Sequence, residues 1–515
     1  MYQFGVTRPV IIVILDSNKG KKHMDIAVRK RFISAPLVAL LIGLSAVFSM
    51  VLADTSSAAV PAGVGCQPTD GKINGRGSTY QTVLLKEYAK AFGEDVCGNV
   101  AEQYSGDPAG SAMVVYNYAK AAEASGTGSG NGVKAANCRS DAFAGTDIPY
   151  SRAQLVELNG TPGATGIGGC TGGSIGFEPP FTPNSAPFPN ANDIQANVMA
   201  LPVGGSAVTV AVHLGTTSCT GAAPTSLQFT PEEVSRLYGG DVATWSDAEL
   251  VATNPSLKEC TGPVTRVVRQ DSSGTTNILK QYLIRTDNER TGATCKGEGN
   301  PTTPITWEAG YFTNNTLWPG KQHEGAEGTC SKITTGTLSG GAELIAKLKT
   351  VEGGIGYIDL AEAVGQAGIV LASVQNSTGT KYEAPSIGGG AANCLYSALS
   401  LPGSSKNDAV GLNAEDNWSN NNEAGGNPNH ENATDLGSKY PICGLTFDLV
   451  YTGLHSNAEG KSAISRLTPD QRRTMYAFFT FILSSTGQEV PGKIHYAPLP
   501  ASWLPLLEQG FQANF

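Results

Sequence analysis

The sequence lacks the short motifs that mark several common enzyme classes. No HExxH segment and no Walker A segment occurs in its 515 residues, and the six histidines fall in no motif. A nucleophile such as Ser272 or Ser273 would need a base, and no histidine adjoins either serine in the sequence. The sequence therefore favours a protein without catalytic residues, with a secreted phosphatase-like hydrolase as the alternative.

Positive charge is also scarce. The chain has a formal net charge of −9, and only 15% of its residues are charged. Residues 1–59 carry seven Lys/Arg and three Asp/Glu, so the remainder carries a net charge of −13. Such a balance argues against nucleic acid as a partner. Any anion site in this chain must work through local geometry against an unfavourable overall field.

The N-terminal region has the layout of a secretory signal. Arg29–Arg31 is basic, Ile33–Ala53 is apolar, and small residues follow up to Ala59, where we expect cleavage. A retained membrane anchor is the alternative, because the apolar run is nearly long enough to span a bilayer. Met24 would give a signal of ordinary length, so we expect residues 1–23 to reflect a misassigned start.

The cysteine pattern agrees with export. The ten cysteines all lie between Cys66 and Cys443, and their spacing never gives CxxC, which argues against a zinc ribbon or a thioredoxin-type site. An even number confined to the exported part predicts disulfides formed in an oxidising compartment. Sequence proximity suggests the pairs Cys219–Cys260 and Cys295–Cys330, although the connectivity stays open.

Alternating strand-like and helix-like stretches predict an α/β fold with mostly parallel sheets. Helical spacing appears over Tyr80–Phe92 and Thr275–Leu283. Thr230 and Thr468 each precede Pro and an acidic residue, the signature of a helix start. The Val/Ala-rich segment Val198–Leu214 is predicted to be a strand pair. Two segments rich in Gly or Asn are predicted to be surface loops, Gly160–Asn192 and Ser404–Lys439.

Four short stretches place Gly, Ser or Thr where a helix is expected to begin, or place a charge beside such a point. They are Gly75–Tyr80, Gly126–Gly132, Phe143–Asp147 and Arg269–Thr276. Helix N-termini present unpaired N–H groups and partial positive charge, so several converging starts would cradle an oxyanion. Each stretch alone is more simply explained as a structural cap, and only the joint pattern points to an anion site.

The same four stretches resemble the ligand motifs of the phosphate-binding proteins of phosphate ABC importers, in the type II periplasmic-binding superfamily. They occur in the family's order, and Arg269-x-Asp271-x-Ser273-Gly274-Thr275 is the most specific of them. The resemblance covers nearly all of residues 72–515 apart from the two predicted loops. It implies an inorganic phosphate ligand, a permease as partner and a monomeric protein without catalytic residues, cofactor or metal ion.

The resemblance also assigns roles to individual residues. It implies that Gly75–Tyr80 and Gly126–Gly132 supply hydrogen-bond donors and that Asp147 supplies a hydrogen-bond acceptor. Arg269 would be the charged clamp, with Asp271 holding it, and the final helix start would complete the site. The implied phosphate-binding residues are Ser78, Thr79, Tyr80, Ser129, Asp147, Arg269, Ser273, Gly274 and Thr275. The tyrosine at position 80 replaces a phenylalanine usual in some relatives, which should matter little if only the backbone N–H acts.

Asp147 carries the prediction of selectivity. An ionised carboxylate only accepts hydrogen bonds, so it favours an anion that offers a proton. Phosphate near neutral pH carries a proton and sulfate does not, so the carboxylate would discriminate against sulfate. Arsenate has nearly the same shape and protonation as phosphate, and the sequence does not exclude its binding. A turn residue before Ile148–Pro149 is the alternative role for Asp147.

The resemblance implies a two-lobed type II fold with the ligand cleft between the lobes and two hinge crossings. We expect residues 66–207 and 445–515 to form lobe 1 and residues 208–444 to form lobe 2. Gly63–Cys66 is a poor lipobox, so we expect a periplasmic, extracellular or cell-surface protein without a lipid anchor. A non-transport surface protein on the same fold is a further alternative.

Overall fold

The computed structural model describes residues 71–96, 114–117, 128–138, 141–148, 198–287, 289, 307, 318, 331–334, 338–396, 437–451 and 467–515. The predicted signal segment lies outside these residues. So do the loop Gly160–Asn192, nearly all of Ser404–Lys439 and the pair Cys295–Cys330.

The described elements alternate along the chain and form a mixed α/β structure. The strands are β1 (Ile73–Gly77), β2 (Val114–Asn117), β3 (Phe143–Thr146), β4 (Val198–His213), β5 (Gln228–Phe229), β6 (Thr265–Arg266), β7 (Lys332–Ile333), β8 (Gly354–Asp359), β9 (Val370–Gln375), β10 (Tyr382–Glu383) and β11 (Cys443–Tyr451). The helices are α1 (Thr82–Asp95), α2 (Ser129–Cys138), α3 (Pro231–Gly239), α4 (Ala248–Thr253), α5 (Gly274–Asp287), α6 (Gly340–Leu348), α7 (Leu360–Ala363), α8 (Pro469–Leu483), α9 (Glu489–Lys493) and α10 (Leu504–Asn514). A 3₁₀ helix covers Pro255–Glu259.

The strands join in one curled sheet whose main path runs β2-β1-β3-β11-β4-β8-β6-β7. The pairs β1–β2, β1–β3, β6–β7 and β6–β8 are parallel. Both β4 and β11 pair antiparallel with their neighbours on this path. The expectation of a mostly parallel sheet is therefore wrong in the middle of the molecule, where these two strands join two parallel halves.

Strand β4 differs from its sequence prediction. Val198–Leu214 was expected to be a strand pair turning at Gly204-Gly205, but β4 runs without a break from Val198 to His213. Its first part pairs with β11, as far as Ala207 opposite Cys443, and from Val208 it pairs with β8. The glycines are needed for close packing, because a Cβ on Gly205 would lie 2.2 Å from the Tyr396 hydroxyl oxygen.

The helix starts predicted from Thr-Pro-acid sequences are confirmed. Thr230 caps α3 by accepting a hydrogen bond from the Glu233 N–H, and the Glu233 carboxylate accepts from the Thr230 N–H. Thr468 and Gln471 form the same capping box at α8. These reciprocal bonds satisfy backbone donors that a helix start otherwise leaves unpaired.

Aromatic packing supports both halves of the sheet. In the β1–β3 half, Phe92 of α1 meets Phe478 of α8 edge-on, with ring centroids 5.4 Å apart. In the other half, Trp318 stacks on Tyr357 of β8 at 5.5 Å. Among the described helices, none combines the length and the apolar character needed to cross a bilayer.

Two disulfides join described cysteines. The pair Cys219–Cys260 was suggested by sequence proximity, and the structure has it. The second pair, Cys394–Cys443, ties the segment before residue 397 to the first residue of β11. Sequence proximity gave no reason to choose this pair over others.

Candidate functional site

The first part of the candidate site is a close approach of three backbone segments. Gly77 ends β1 with φ +140°, a conformation that favours glycine. A Cβ at Gly77 would lie 2.0 Å from the carbonyl oxygen of Gly145, and a Cβ at Gly132 would lie 1.9 Å from the same oxygen. The following residue, Ser78, donates its N–H to that oxygen at 2.9 Å. Glycines thus allow the ends of β1 and β3 and the start of α2 to meet.

The Asp147 carboxyl group lies where these segments meet. Its Oδ2 accepts hydrogen bonds from the hydroxyls of Ser78 at 2.6 Å and Ser129 at 2.9 Å. Its Oδ1 contacts the Thr446 hydroxyl at 2.6 Å, and its backbone N–H donates to Ser129 Oγ at 3.0 Å. The side chain is fully buried. Asp147 is therefore an organised part of the site and not an exposed turn residue.

The charge state of Asp147 follows from these surroundings. Burial raises the pKa of Asp147 from 3.8 to about 6, against the lowering effects of the Ser78, Thr446 and Ser129 hydroxyls and the Arg269 charge. Near neutral pH the group is then mainly a carboxylate, which accepts hydrogen bonds but cannot donate them.

Arg269 supplies a buried positive charge on the other side of the site. Its guanidinium group forms a two-point ion pair with Asp271, with Nε 2.5 Å from Oδ1. Burial lowers the pKa of Arg269, but the Asp271 carboxylate outweighs that effect, so the guanidinium stays charged. The Arg269 N–H donates to the Tyr357 hydroxyl at 3.1 Å, and that hydroxyl contacts Thr276 Oγ1 at 2.7 Å.

The start of α5 closes against Asp147. Ser273 Oγ accepts the Thr276 N–H at 3.2 Å, which makes Ser273 the side-chain cap of this helix. A Cβ on Gly274 would lie 2.2 Å from Asp147 Oδ2 and 2.3 Å from Ser129 Oγ. Since no side chain fits between them, the N-terminus of α5 lies directly against the carboxyl and hydroxyl groups of the first segments.

A second contact joins the same two regions. The Gly130 N–H at the start of α2 donates to the carbonyl oxygen of Ser272 at 3.2 Å. A Cβ on Gly130 would lie 1.9 Å from Ser272 Oγ, so this contact also depends on glycine. The starts of α2 and α5, distant in sequence, therefore face each other.

The structure brings some of the predicted residues together and places others at the edge. Ser78 and Ser129 both contact Asp147, and Gly274 lies against Asp147 and Ser129, as described above. Thr79 is buried with its methyl group near Gly340, where a Cβ would lie 3.5 Å from Thr79 Cγ2. Thr275 is also buried, in the first turn of α5. Their predicted contacts with an anion stay a prediction.

Tyr80 has a structural connection that its motif did not indicate. Its N–H donates to Ser78 Oγ at 3.0 Å. Its hydroxyl donates to the carbonyl oxygens of Ser206 in β4 and of Gly444 in β11, the latter at 3.2 Å. A phenylalanine would lose both hydroxyl contacts, so the tyrosine at this position links the site to the junction of β4 and β11.

Sequence reasoning missed Thr446, which contacts Asp147 directly. Thr446 and Asp448 are the two polar side chains within the otherwise apolar run of β11, and both are fully buried. Residues two apart in a strand point to the same face. Two polar residues at this spacing in an apolar strand were the signal in the sequence that could have identified Thr446.

Comparisons with known proteins show what this chain is similar to. Residues 182–406 match the model of the PBP superfamily domain. Two solved structures of phosphate-binding protein from Stenotrophomonas maltophilia align with TM-scores of 0.50 and 0.51, at 17% and 15% identity. Both alignments cover 85% of this chain and 93% of the Stenotrophomonas maltophilia chain. The protein thus has the two-lobed type II fold of periplasmic substrate-binding proteins.

Two curated proteins are also similar in sequence to this chain. Two proteins named Phosphate-binding protein PstS, from Xylella fastidiosa strains Temecula1 and 9a5c, are each 24% identical over 292 residues. The alignments cover 57% of this chain and 62% of each relative, so the chain spans less than two thirds of their length. The resemblance to phosphate-binding proteins that the motifs indicated is confirmed.

Proposed function

We propose that this protein captures inorganic phosphate outside the cytoplasm and delivers it to the permease of a phosphate ABC importer. The observation that carries the proposal is the contact of Gly274, at the start of α5, with the carboxyl group of Asp147 and the hydroxyl of Ser129. Two groups of predicted ligand residues, far apart in sequence, thereby meet at one place.

The chemistry of that place suits a protonated oxyanion. Hydroxyl groups and helix starts supply donors, Arg269 supplies a charge, and Asp147 supplies an acceptor for a proton on the ligand. We propose Ser78, Thr79, Tyr80, Ser129, Asp147, Arg269 and Ser273–Thr275 as the binding residues, with Asp271 orienting the guanidinium. The names of the curated relatives support phosphate as the ligand.

Export and a binding role without catalysis complete the proposal. The basic and apolar N-terminal segment and the two disulfides support an exported protein. The Ser273 hydroxyl accepts the Thr276 N–H as a helix cap, which supports a structural role over a nucleophilic one. We propose a monomer whose lobes meet at the β4–β11 junction, with residues 66–207 and 445–515 in one and 208–444 in the other.

Isothermal titration of the exported chain with phosphate and with sulfate tests this function. We expect clear phosphate binding and negligible sulfate binding at neutral pH. Arg269→Ala should weaken phosphate binding by about 30-fold or more, because it removes a buried charge from the ligand. Arg236→Ala is the matched control, since Arg236 pairs with Asp247 and Glu249 outside the site.

Two results would contradict parts of this proposal. If neither anion binds, the protein does not have the proposed function. If phosphate and sulfate bind equally well, Asp147 does not select for a protonated ligand. Asp147→Asn should reduce the discrimination between the two anions, because an amide can donate as well as accept.

A further inference from the structure

A buried chain of side chains connects Asp147 to a second carboxyl group, that of Asp448 in β11. Thr446 Oγ1 lies 2.6 Å from Asp147 Oδ1 and 2.7 Å from Gln81 Oε1. Gln81 Nε2 lies 2.9 Å from Asp448 Oδ1. All four side chains are essentially inaccessible to solvent. Since solvent does not reach these side chains, each contact between two of them needs a proton on one of the two contacting groups.

Counting protons shows that two carboxylates cannot satisfy this chain. The Thr446 hydroxyl has one proton, yet a carboxylate oxygen and an amide oxygen both lie within 2.7 Å of it. Neither of those oxygens is a donor unless the carboxyl group is protonated. The carbonyl oxygen of Thr146, at 3.5 Å, is a third and longer contact of the same hydroxyl. One additional proton is needed.

Two arrangements supply that proton. In the first, Gln81 donates to Asp448, Thr446 donates to the Gln81 oxygen, and a neutral Asp147 donates to Thr446. In the second, the Gln81 amide is turned over and its NH₂ group donates to Thr446. Thr446 then donates to an ionised Asp147, and a neutral Asp448 donates to the amide oxygen. Both contain one proton on the two carboxyl groups together.

The surroundings of the two carboxyl groups favour the second arrangement. Asp147 has the hydroxyls of Ser78 and Ser129 as donors besides Thr446, and the charge of Arg269 acts on it. Asp448 Oδ2 is buried without a hydrogen-bond partner among the described residues. Because one of its buried oxygens is unsatisfied, an ionised Asp448 would cost more free energy than an ionised Asp147.

We propose that Asp147 and Asp448 share a single proton through Thr446 and Gln81, with the proton resting on Asp448. Asp448 is then a specificity-determining residue, because it keeps Asp147 a carboxylate toward the anion. This inference rests on the proposed phosphate-binding function for its meaning, although the shared proton itself can be measured without a ligand. If the proton moved to Asp147, that group could donate to sulfate and would lose its preference for phosphate.

Other groups near Asp147 and Asp448 also affect the ionisation of the buried carboxyl groups. Burial, followed by the charge of Asp147, raises the pKa of Asp448 well above its usual value. From β8 and α7, Asp359 and Glu362 add two further carboxyl groups near Tyr80 and Tyr496. Besides burial, the charge of Asp147 contributes to the raised pKa of Asp359, because like charges disfavour further ionisation. Arg269 opposes them by favouring the ionised form of Asp147.

Infrared spectroscopy of the carboxyl C=O stretch tests the shared proton directly. At about pH 8, far above the ordinary aspartate pKa of about 3.9, we expect the wild-type protein without ligand to show a protonated-carboxyl band that Asp448→Asn lacks. The asparagine supplies the missing N–H, so this variant keeps the chain of contacts intact. Identical bands in the two proteins would overturn the proposal.

A second variant tests the connection through Thr446. Thr446→Val removes the hydroxyl but keeps the shape, and Asp147 then loses both a donor and its link to Asp448. We expect the pH at which phosphate loses its advantage over sulfate to rise by about one unit, since each lost donor makes protonation of Asp147 easier. Thr480→Val, at a buried threonine of α8 outside the chain, is the control and should cause no shift.

The outcomes separate this inference from the proposed function. A wild-type protein that binds neither anion would contradict phosphate capture, while the infrared comparison would still decide whether the proton is shared. An unshifted pH dependence in Thr446→Val would overturn the link through Thr446.

Discussion

At the scale of single residues, the surroundings of Asp147 determine its charge state. Burial raises its pKa, the neighbouring hydroxyls lower it, and the Arg269 charge is the smallest of these effects. The carboxyl group is thus held mainly by neutral donors. Such an arrangement leaves the Arg269 guanidinium, which Asp271 orients, available for the ligand.

A raised pKa makes the stability of the ligand-free protein depend on pH in an unusual direction. Between pH 3.8 and about 6 the folded form holds a proton on Asp147 that the unfolded form has lost. This contribution is fully present below the lower value and disappears as the pH rises through the upper one.

We therefore predict that Asp147→Asn gains stability relative to wild type as the pH rises. The difference in unfolding free energy should change by on the order of 3 kcal/mol between about pH 4 and pH 7, measured by denaturant titration at each pH. A difference that stays constant across this range would contradict the raised pKa.

Part of the site could be predicted from individual residues. Gly, Ser and Thr at helix starts indicated the segments that contain Ser78 and Ser129, because backbone geometry at helix N-termini is a local property, and only the resemblance grouped them with Asp147. Thr446 could not be found in this way, since its role depends on β11 lying beside β3. That pairing is a long-range contact that no local pattern encodes.

At the scale of elements, the two capping boxes show that a few residues can determine where a helix begins. The helix starts at Thr230 and Thr468 were predicted from sequence, and the structure adds their reciprocal bonds with Glu233 and Gln471. Strand β4 was misread because glycines usually indicate a turn. In β4 they serve close packing, since a Cβ at Gly204 would lie 2.9 Å from Leu84 and one at Gly205 would clash with Tyr396.

Removing the cap of α3 should cost a measurable part of the stability. We predict that Thr230→Ala lowers the free energy of unfolding by about 1 kcal/mol, because the Glu233 N–H loses its acceptor. Denaturant unfolding followed by circular dichroism measures this change. Thr225→Ala, at an exposed threonine shortly before the same helix, is the control and should change the stability by less than about 0.5 kcal/mol.

At the scale of the whole molecule, two tyrosines meet at the junction between the halves of the sheet. Tyr80 and Tyr396 both donate to the carbonyl oxygens of Ser206 and Gly444. The disulfide Cys394–Cys443 lies at the same junction. Tyr80 follows the first predicted ligand segment, so the junction is connected to the candidate site through one side chain.

Because the two tyrosines share their acceptors, their removal should be non-additive. We predict that Tyr80→Phe and Tyr396→Phe each cost about 1 kcal/mol, and that the double variant costs more than the sum by at least about 0.5 kcal/mol. In a single variant the remaining hydroxyl still lies within reach of both carbonyl oxygens and can share its one proton between them, but no donor remains in the double variant. A double-mutant cycle of denaturant unfolding measures this coupling.

Tyr440→Phe provides the comparison for that cycle. The Tyr440 hydroxyl donates to the carbonyl oxygen of Val208. Val208 lies in β4, as Ser206 does, but its carbonyl oxygen is a different acceptor from the two that Tyr80 and Tyr396 share. The combination of Tyr80→Phe with Tyr440→Phe should be additive within about 0.5 kcal/mol. Equal coupling in both pairs would show that shared acceptors do not explain the effect.

The uninterrupted course of β4 also limits how this chain can be re-engineered. Val198–Ala207 belongs to the ladder with β11 and Val208–His213 to the ladder with β8, so one continuous backbone serves both halves. New chain ends placed within β4 would interrupt one of these ladders and remove the continuous backbone that joins the two. Circular permutation, or insertion of a fluorescent reporter, would have to use the exposed turns, such as that at Gly388-Gly389, and leave this strand whole.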